Sequence, residues 1–171
     1  MNNNPLKQIL KKQENQNQSL NKETKEEFES ENIVQLVGFI VGEEEFAIPI
    51  LNIQEIIKPI EYTRVPGVPE YVMGVFNLRG NVIPLIDLRR KFNLPPAEQT
   101  PETRYIVMKH EENIVGFIID KLTEAIRMNA DKIDTPPENL QKEKGMVQGI
   151  GKRKDKIITI LKVDALLKRD F

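Results

Sequence analysis

The stretch GVFNLRGNVIPLIDL, residues 74–88, decides the fold of this chain. Two apolar runs rich in valine, isoleucine, leucine and phenylalanine lie on either side of a short polar segment that contains Gly80 and Asn81. Both residues tolerate a positive φ, which a two-residue hairpin turn requires. The sequence therefore predicts a tight β-hairpin with Gly80 and Asn81 as its turn.

The same hairpin carries a single cation, Arg79, directly before the predicted turn. Successive side chains of a β-strand point to opposite faces. This alternation places Phe76 and Leu78 on the core face, with Val75, Asn77 and Arg79 on the outer face. We therefore expect Arg79 to be either an ordinary solvated turn residue or a residue whose guanidinium contacts something specific.

From Ile33 onward the chain consists of short apolar runs, separated by turns that are rich in glycine, proline and acidic residues. Runs of roughly five to eight residues with many β-branched side chains are typical of strands. The pattern predicts an all-β protein of small sheets or barrels. Short helices are predicted after Asp87 and after Asp164, with each aspartate as the N-cap.

The chain also contains an internal repeat. Residues 46–57, FAIPILNIQEII, align with residues 115–126, VGFIIDKLTEAI, and Glu55 falls on Glu124. Further on, NVIPLIDL at 81–88 aligns with KIITILKV at 156–163. The repeat thus predicts a second hairpin at residues 146–162, MVQGIGKRKDKIITILK, which does not contain the NLRG motif of the first. Two aligned pairs in the same order indicate a duplicated β-unit.

The repeat predicts one domain, residues 31–171, built from two related units at approximately 31–98 and 99–171. Each unit has about 65 residues and would bury little surface alone, so we expect the two to pack against each other. Exchange of strands between the units is left open. Residues 1–30 are rich in Asn, Gln, Lys and Glu, and this composition predicts a disordered N-terminal tail.

Composition narrows the function further. The net charge is −1, which favours neither nucleic acid nor an acidic membrane as a partner. Cysteine is absent, and no apolar run approaches the ~18 residues of a membrane span, so we expect a cytoplasmic protein. The single histidine, His110, and the imperfect phosphate-loop pattern at residues 145–153 supply no catalytic set. We expect no enzyme activity, no cofactor and no metal.

Three segments together resemble the CheW family, the adaptors of bacterial chemotaxis. They are LVGFIVGEEEFAIPILNIQEI at 36–56, VPGVPEYVMGVFNLRGNVIPLIDLRRKF at 65–92, and IVGFIIDKLTEAI at 114–126. The pattern GVxNLRGxxxPxxDLRxKF is long and specific, and the similarity runs from about Val34 to Phe171. The resemblance implies two five-stranded SH3-like β-barrels related by a pseudo-two-fold axis.

The resemblance also implies a function. A protein of this kind bridges the cytoplasmic tip of methyl-accepting chemoreceptors to the regulatory domain of the histidine kinase CheA, in arrays at the membrane. The residues that match the family's receptor-side motif are Ile53, Glu55, Asn77 and Arg79. For the kinase contact the similarity suggests Tyr71 and Gly74.

Arg79 and Glu55 have opposite charges and lie in segments that we expect to be neighbours on one surface. We predict an Arg79–Glu55 ion pair that orients the receptor-facing surface; the alternative is an unpaired, solvated arginine. Two other functions stay open at this point. One is an adaptor of a receptor–kinase system outside chemotaxis, and the other is a small β-barrel that binds nucleic acid.

Overall fold

The computed structural model describes residues 32–138, 145–169 and 171, so the predicted tail, residues 1–30, lies outside the described part. The described chain forms strands β1 (Ile33–Val41), β2 (Glu44–Pro49), β3 (Ile53–Ile57), β4 (Val72–Leu78), β5 (Asn81–Asp87), β6 (Arg104–His110), β7 (Asn113–Ile119), β8 (Lys121–Asn129), β9 (Ile133–Asp134), β10 (Val147–Arg153) and β11 (Lys156–Leu161). Two short helices, α1 (Leu88–Lys91) and α2 (Val163–Leu166), follow β5 and β11. Single 3-10 turns lie at Ile50–Asn52 and Ala130–Lys132. The all-β prediction is confirmed.

The strands form two sheets. One has six strands in the order β8-β1-β2-β11-β10-β9, and the other has five in the order β3-β6-β7-β5-β4. The hairpin strands β1 and β2 pair in the sheet that contains β8 to β11, whereas β6 and β7 pair with β3 to β5. Each sheet is therefore built from both sequence halves.

The registers of the two sheets obey the predicted repeat. Leu85 of β5 lies opposite Gly116 of β7 in a parallel pair, and Ile160 of β11 lies opposite Ala47 of β2 in another. Leu85 aligns with Ile160 in the repeat, and Ala47 aligns with Gly116. The two sheets are therefore related by the pseudo-two-fold axis that the family resemblance implies, and strands are exchanged between the halves.

The sixth strand of the larger sheet has a counterpart in the smaller one. In β9, Asp134 lies opposite Ile150, and the equivalent of this pair in the other sheet is the isolated bridge between Thr63 and Val75. Both hydrogen bonds of that bridge are 2.8–2.9 Å long. The two SH3-like units thus differ in strand count only because one bridge extends into a two-residue strand.

The turn of the β4–β5 hairpin differs from the prediction. Leu78 pairs with Asn81, so the two turn residues are Arg79 and Gly80, with φ of 51° and 86°. Two successive positive φ values are those of the turn that matches the twist of a hairpin. Asn77 supports this turn, because its side-chain oxygen accepts a hydrogen bond from Gly80 N at 3.0 Å. The prediction of Gly80–Asn81 as the turn is wrong by one residue.

Of the two predicted helix caps, one is correct. Asp87 Oδ1 accepts a hydrogen bond from Arg89 N at 3.0 Å at the start of α1. Helix α2 begins earlier than predicted, at Val163, so Lys162 is at the N-cap position and no side chain caps the helix. Asp164 instead lies in the first turn, where a negative charge interacts favourably with the helix dipole.

The interior has three clusters of buried apolar side chains. The largest draws from both sheets and both helices, and it contains Phe39, Phe46, Ile86, Phe117 and Leu166 among others. A smaller cluster fills each sheet separately. Because burial of apolar surface is the main favourable term in folding, the shared cluster holds the two barrels together. Among the described residues, no helix is long and apolar enough to cross a membrane.

Candidate partner-binding site

The predicted ion pair between Arg79 and Glu55 is present. Arg79 Nη2 lies 2.8 Å from Glu55 Oε1, and the two side chains are 77% and 25% exposed. Arg79 is therefore neither unpaired nor buried. Its guanidinium projects from the hairpin turn and keeps most of its surface accessible to a partner.

The pair joins the two ends of the five-stranded sheet. Glu55 lies on β3 and Arg79 follows β4, and these two strands are the edges of that sheet. Main-chain hydrogen bonds also join Val75 of β4 to Thr63, which lies in the segment that follows β3. We call the gap between the edge strands the seam of the barrel. Arg79 and Glu55 thus span the seam on the outer surface.

The second barrel has a corresponding pair that the sequence did not reveal. Arg153 Nη1 lies 3.0 Å from Glu124 Oε1, and Glu124 is the repeat equivalent of Glu55. The arginine, however, is the equivalent of Leu78, and the turn position of Arg79 is taken by Lys154. Only the alignment of Glu55 with Glu124 signalled this pair before the structure.

The two arginines have different surroundings. Arg153 occupies a strand position whose counterpart, Leu78, packs against the core, and its side chain is accordingly only 28% exposed. Its Nη1 atom is buried and makes no well-aligned hydrogen bond. The carboxylate of Glu124 therefore compensates this nitrogen by charge rather than by a directed bond. The first pair is the more accessible of the two.

The other two residues that match the receptor-side motif have supporting positions. Ile53 begins β3, lies opposite Met108 and packs against the large shared cluster while remaining partly accessible. Asn77 is exposed, and its side-chain oxygen is engaged with Gly80 N. The structure therefore brings Glu55, Asn77 and Arg79 together at one end of the barrel, with Ile53 on the strand of Glu55.

The residues suggested for the kinase contact differ in accessibility. Tyr71 is half-buried, and Lys91 Nζ lies 5.0 Å from the centroid of its ring. Gly74 is buried, with φ of 153°, and a side chain there would overlap the carbonyl oxygen of Thr63. Gly74 therefore permits the close approach of Thr63 to β4. A kinase contact at either residue stays a prediction.

Each barrel also presents one exposed apolar residue beside its ion pair. Val82 follows the first hairpin turn and is 68% exposed, and Ile157 follows the second and is 64% exposed. The two residues are equivalent in the repeat. Single exposed apolar residues are common on protein surfaces, so these two show the equivalence of the two hairpins and do not by themselves define a binding site.

A further arginine ties the two sheets together. Arg89 Nη2 lies 2.6 Å from Asp120 Oδ2, and Gly42 N donates to the same oxygen at 2.9 Å. The hydrogen bond to Asp120 raises the pKa of the Arg89 guanidinium. Since Gly42 belongs to the β1–β2 turn and Arg89 to α1, this network supports the fold rather than a partner. Sequence reasoning missed it.

Outside these ion pairs, few side chains of the described residues could take part in catalysis or bind a metal. His110 Nε2 lies 4.0 Å from Glu111 at an exposed turn. Among residues 32–138 and 145–169, no cluster of three or more His, Asp or Glu side chains has the arrangement of a metal site. The segment with the imperfect phosphate-loop pattern forms β10.

A solved structure shares this architecture. The scaffolding protein TtCheW from Thermoanaerobacter tengcongensis is similar with a TM-score of 0.74 and 31% identity, over 80% of this chain and 94% of that one. The fold and this similarity place the chain in the class of scaffold and adaptor proteins.

The chain belongs to the CheW family of chemotaxis adaptors. Residues 35–171 match the family model of the CheW-like domain. A protein from Helicobacter pylori named Chemotaxis protein CheW is 51% identical over 168 residues, which cover 98% of this chain and 99% of that protein. Its namesake from Bacillus subtilis is 37% identical over 79% of this chain and 87% of that protein. The family resemblance of the sequence is thereby confirmed.

Proposed function

We propose that this chemotaxis adaptor bridges the cytoplasmic tip of methyl-accepting chemoreceptors to the regulatory domain of the histidine kinase CheA. It would work by binding and conformational coupling without bond chemistry, within arrays of membrane-bound receptors. The observation that carries the proposal is the accessible Arg79–Glu55 pair at the seam of the first barrel. Family membership favours this function over a nucleic-acid-binding barrel or an adaptor outside chemotaxis.

The receptor would contact the surface formed by Ile53, Glu55, Asn77 and Arg79. Asn77 holds the turn that aims Arg79, and Glu55 fixes the guanidinium through a 2.8 Å contact. Exposed ion pairs contribute only ~0–1 kcal/mol to stability, so this one would serve mainly to position the charges for the receptor. Ile53 would add apolar contact from the same strand as Glu55.

The kinase would contact the chain through Tyr71. This residue directly precedes β4, at the end of the strand away from the turn that carries Arg79. The half-buried ring of Tyr71 packs against the shared cluster, and Lys91 Nζ lies 5.0 Å from its centroid. The main chain of Tyr71 is fixed by a hydrogen bond from Asp87 N to Tyr71 O at 2.8 Å. Gly74 would act indirectly, by allowing Thr63 to pack against β4. The test of this side is Tyr71→Ala, which should weaken capture of CheA and leave capture of receptor fragments unchanged.

The deciding experiment is reconstitution from purified parts. Receptor cytoplasmic fragments are assembled on vesicles with CheA and ATP, and kinase autophosphorylation is measured with and without this chain. We expect the chain to raise the rate of autophosphorylation and to co-sediment with both partners. Absence of activation together with absence of binding to either partner would contradict the proposal. Binding to both partners without activation would limit it to a structural bridge.

A further inference from the structure

The six-stranded sheet has an apolar groove at the point where the described chain begins. The groove has a volume of about 590 Å³. Ile33, the first residue of β1, lies on its edge, and Leu51 beside it is 96% exposed. Other members of its lining are Leu36, Pro49, Ile50 and Ile133. A large side chain from another segment would bury these apolar atoms.

The five-stranded sheet has a groove at the equivalent place. It is smaller, about 200 Å³, and part of its lining follows the repeat, whereas Asp87, Arg89 and Arg90 have no counterpart in the larger groove. Thr103, Tyr105 and Ile118 line it where Val34, Leu36 and Pro49 line the larger groove. The two grooves are therefore counterparts under the pseudo-two-fold relation.

The linker before β6 lies against the smaller groove. Residues 96–99, Pro-Ala-Glu-Gln, precede β6 and form one wall of this groove. Strand β6 is the repeat equivalent of β1, because the two strands pair with equivalent edge strands. Ile53 of β3 lies opposite Met108 of β6, and its repeat equivalent, Leu122 of β8, lies opposite Phe39 of β1. The segment that corresponds to 96–99 is therefore residues 27–30, Glu-Phe-Glu-Ser.

We propose that residues 27–30 lie along the larger groove as residues 96–99 lie along the smaller one, with the Phe28 side chain in the groove. Phe28 aligns with Ala97, so the wider groove receives the larger side chain. Phe28 is also the only aromatic residue among residues 1–30. Only three residues separate it from Asn32, where the described chain begins, so the segment reaches the groove without a long loop. This intramolecular docking is independent of the adaptor function.

Docking would place this segment beside the proposed receptor surface. Ile50 and Leu51 line the groove, and Ile53 follows them after a single residue. A docked Phe28 would thus cover the exposed side of Leu51 and border the strand that carries Glu55. The segment would complete the second barrel just as the linker before β6 completes the first.

The absence of cysteine allows a direct test in the full chain. Cysteines are introduced as Glu29→Cys with Leu51→Cys, so that Phe28 is retained, and disulfide formation is followed by mass spectrometry. The matched control is Glu29→Cys with Arg127→Cys. Arg127 is exposed and lies opposite Gln35 near the start of β1, but it does not line the groove. A tail that moves freely reaches either site with similar ease.

We expect the 29–51 disulfide to form roughly tenfold or more faster than the 29–127 disulfide, because burial of a phenylalanine favours the docked state by at least that factor. Adding Phe28→Ala should remove this preference. Equal rates in the two pairs would overturn the proposal, and so would a preference that survives Phe28→Ala. A 29–51 disulfide that forms only between chains would assign the groove to a second copy instead.

Discussion

Arg153 reaches Glu124 across the seam of the second barrel, with 3.0 Å between Nη1 and Oε1, just as Arg79 reaches Glu55 across the seam of the first. The acidic partner is at the same repeat position in both barrels, but the arginine comes from neighbouring positions. In the first barrel it comes from the turn and is exposed. In the second it comes from the strand and is largely covered. The duplicated fold thus keeps a charge pair at each seam, and only one is well placed to meet a partner.

Reversal of the first pair should separate function from stability. Arg79→Glu places two acids side by side and should abolish receptor-dependent activation of CheA, while the free energy of unfolding falls by no more than ~1 kcal/mol. Adding Glu55→Arg should partly restore activation. The control is Arg127→Glu, which makes the same charge change at an exposed site on β8. A large loss of stability in Arg79→Glu would instead indicate a structural role.

In the second pair, Arg153–Glu124, we expect loss of the acidic partner to lower stability and replacement of the arginine by leucine to be tolerated. Arg153→Leu introduces the residue that its counterpart position already has, so the free energy of unfolding should change by less than ~1 kcal/mol or rise. Glu124→Ala leaves the buried Nη1 atom without its carboxylate and should cost about 1–3 kcal/mol. Urea unfolding followed by circular dichroism measures both. If Arg153→Leu proved the more damaging change, the arginine itself would be required at this seam.

Substitution of Gly74 should damage the fold. Gly74→Ala would force a Cβ atom into the Thr63 carbonyl at a φ that side chains rarely adopt, and we expect a loss of about 2–4 kcal/mol. The matched control is Gly67→Ala, where φ is also positive but the space is open, and about 1 kcal/mol should be lost. Thermal unfolding compares them. Similar losses in both variants would mean that φ alone, without the close approach, limits the site.

Asp87 should make stability depend on pH in a defined direction. Burial raises the pKa of its carboxyl above the ordinary 3.8, despite the opposing hydrogen bonds and charges of Arg89 and Arg90. The folded state thus holds this proton more tightly than the unfolded state. The contribution of Asp87 to stability therefore falls as pH rises from the unfolded pKa through the folded pKa.

Asp87→Asn keeps a capping side chain and removes this titration. Its stability relative to the unmodified chain should improve as pH increases between about 3 and 6, because only the carboxylate suffers desolvation. Urea unfolding at several pH values measures the difference. A difference that stays constant over this range would show that the carboxyl has an ordinary pKa in the folded chain.

Much of this architecture could be predicted from the sequence, because it depends on the alternation and repetition of apolar residues along the chain. The alternation around Phe76 predicted the core face of the hairpin, and the aligned runs predicted the repeat that the strand registers obey. The Arg79–Glu55 pair could also be predicted, because the two opposite charges occur in segments of the same unit. These inferences needed only periodicity, repetition and the family resemblance.

The rest depends on how strands meet in space. The Arg153–Glu124 and Arg89–Asp120 pairs join residues 29 and 31 positions apart, and they become neighbours only when the sheets close and pack. The turn shifted by one residue because the pairing of Leu78 with Asn81 fixed its position. Asp164 lost its predicted cap role because α2 begins one residue before it. None of these has a local signature.

The exchange of strands between the halves has a consequence for how the molecule comes apart. If either half loses its structure, the other half's sheet loses two of its strands, so the two barrels should unfold in a single cooperative transition. A chain with one repeat alone would have to lend its first two strands to a second copy. Such a chain would therefore assemble as a domain-swapped homodimer, with a two-fold axis between its copies where this chain has internal symmetry.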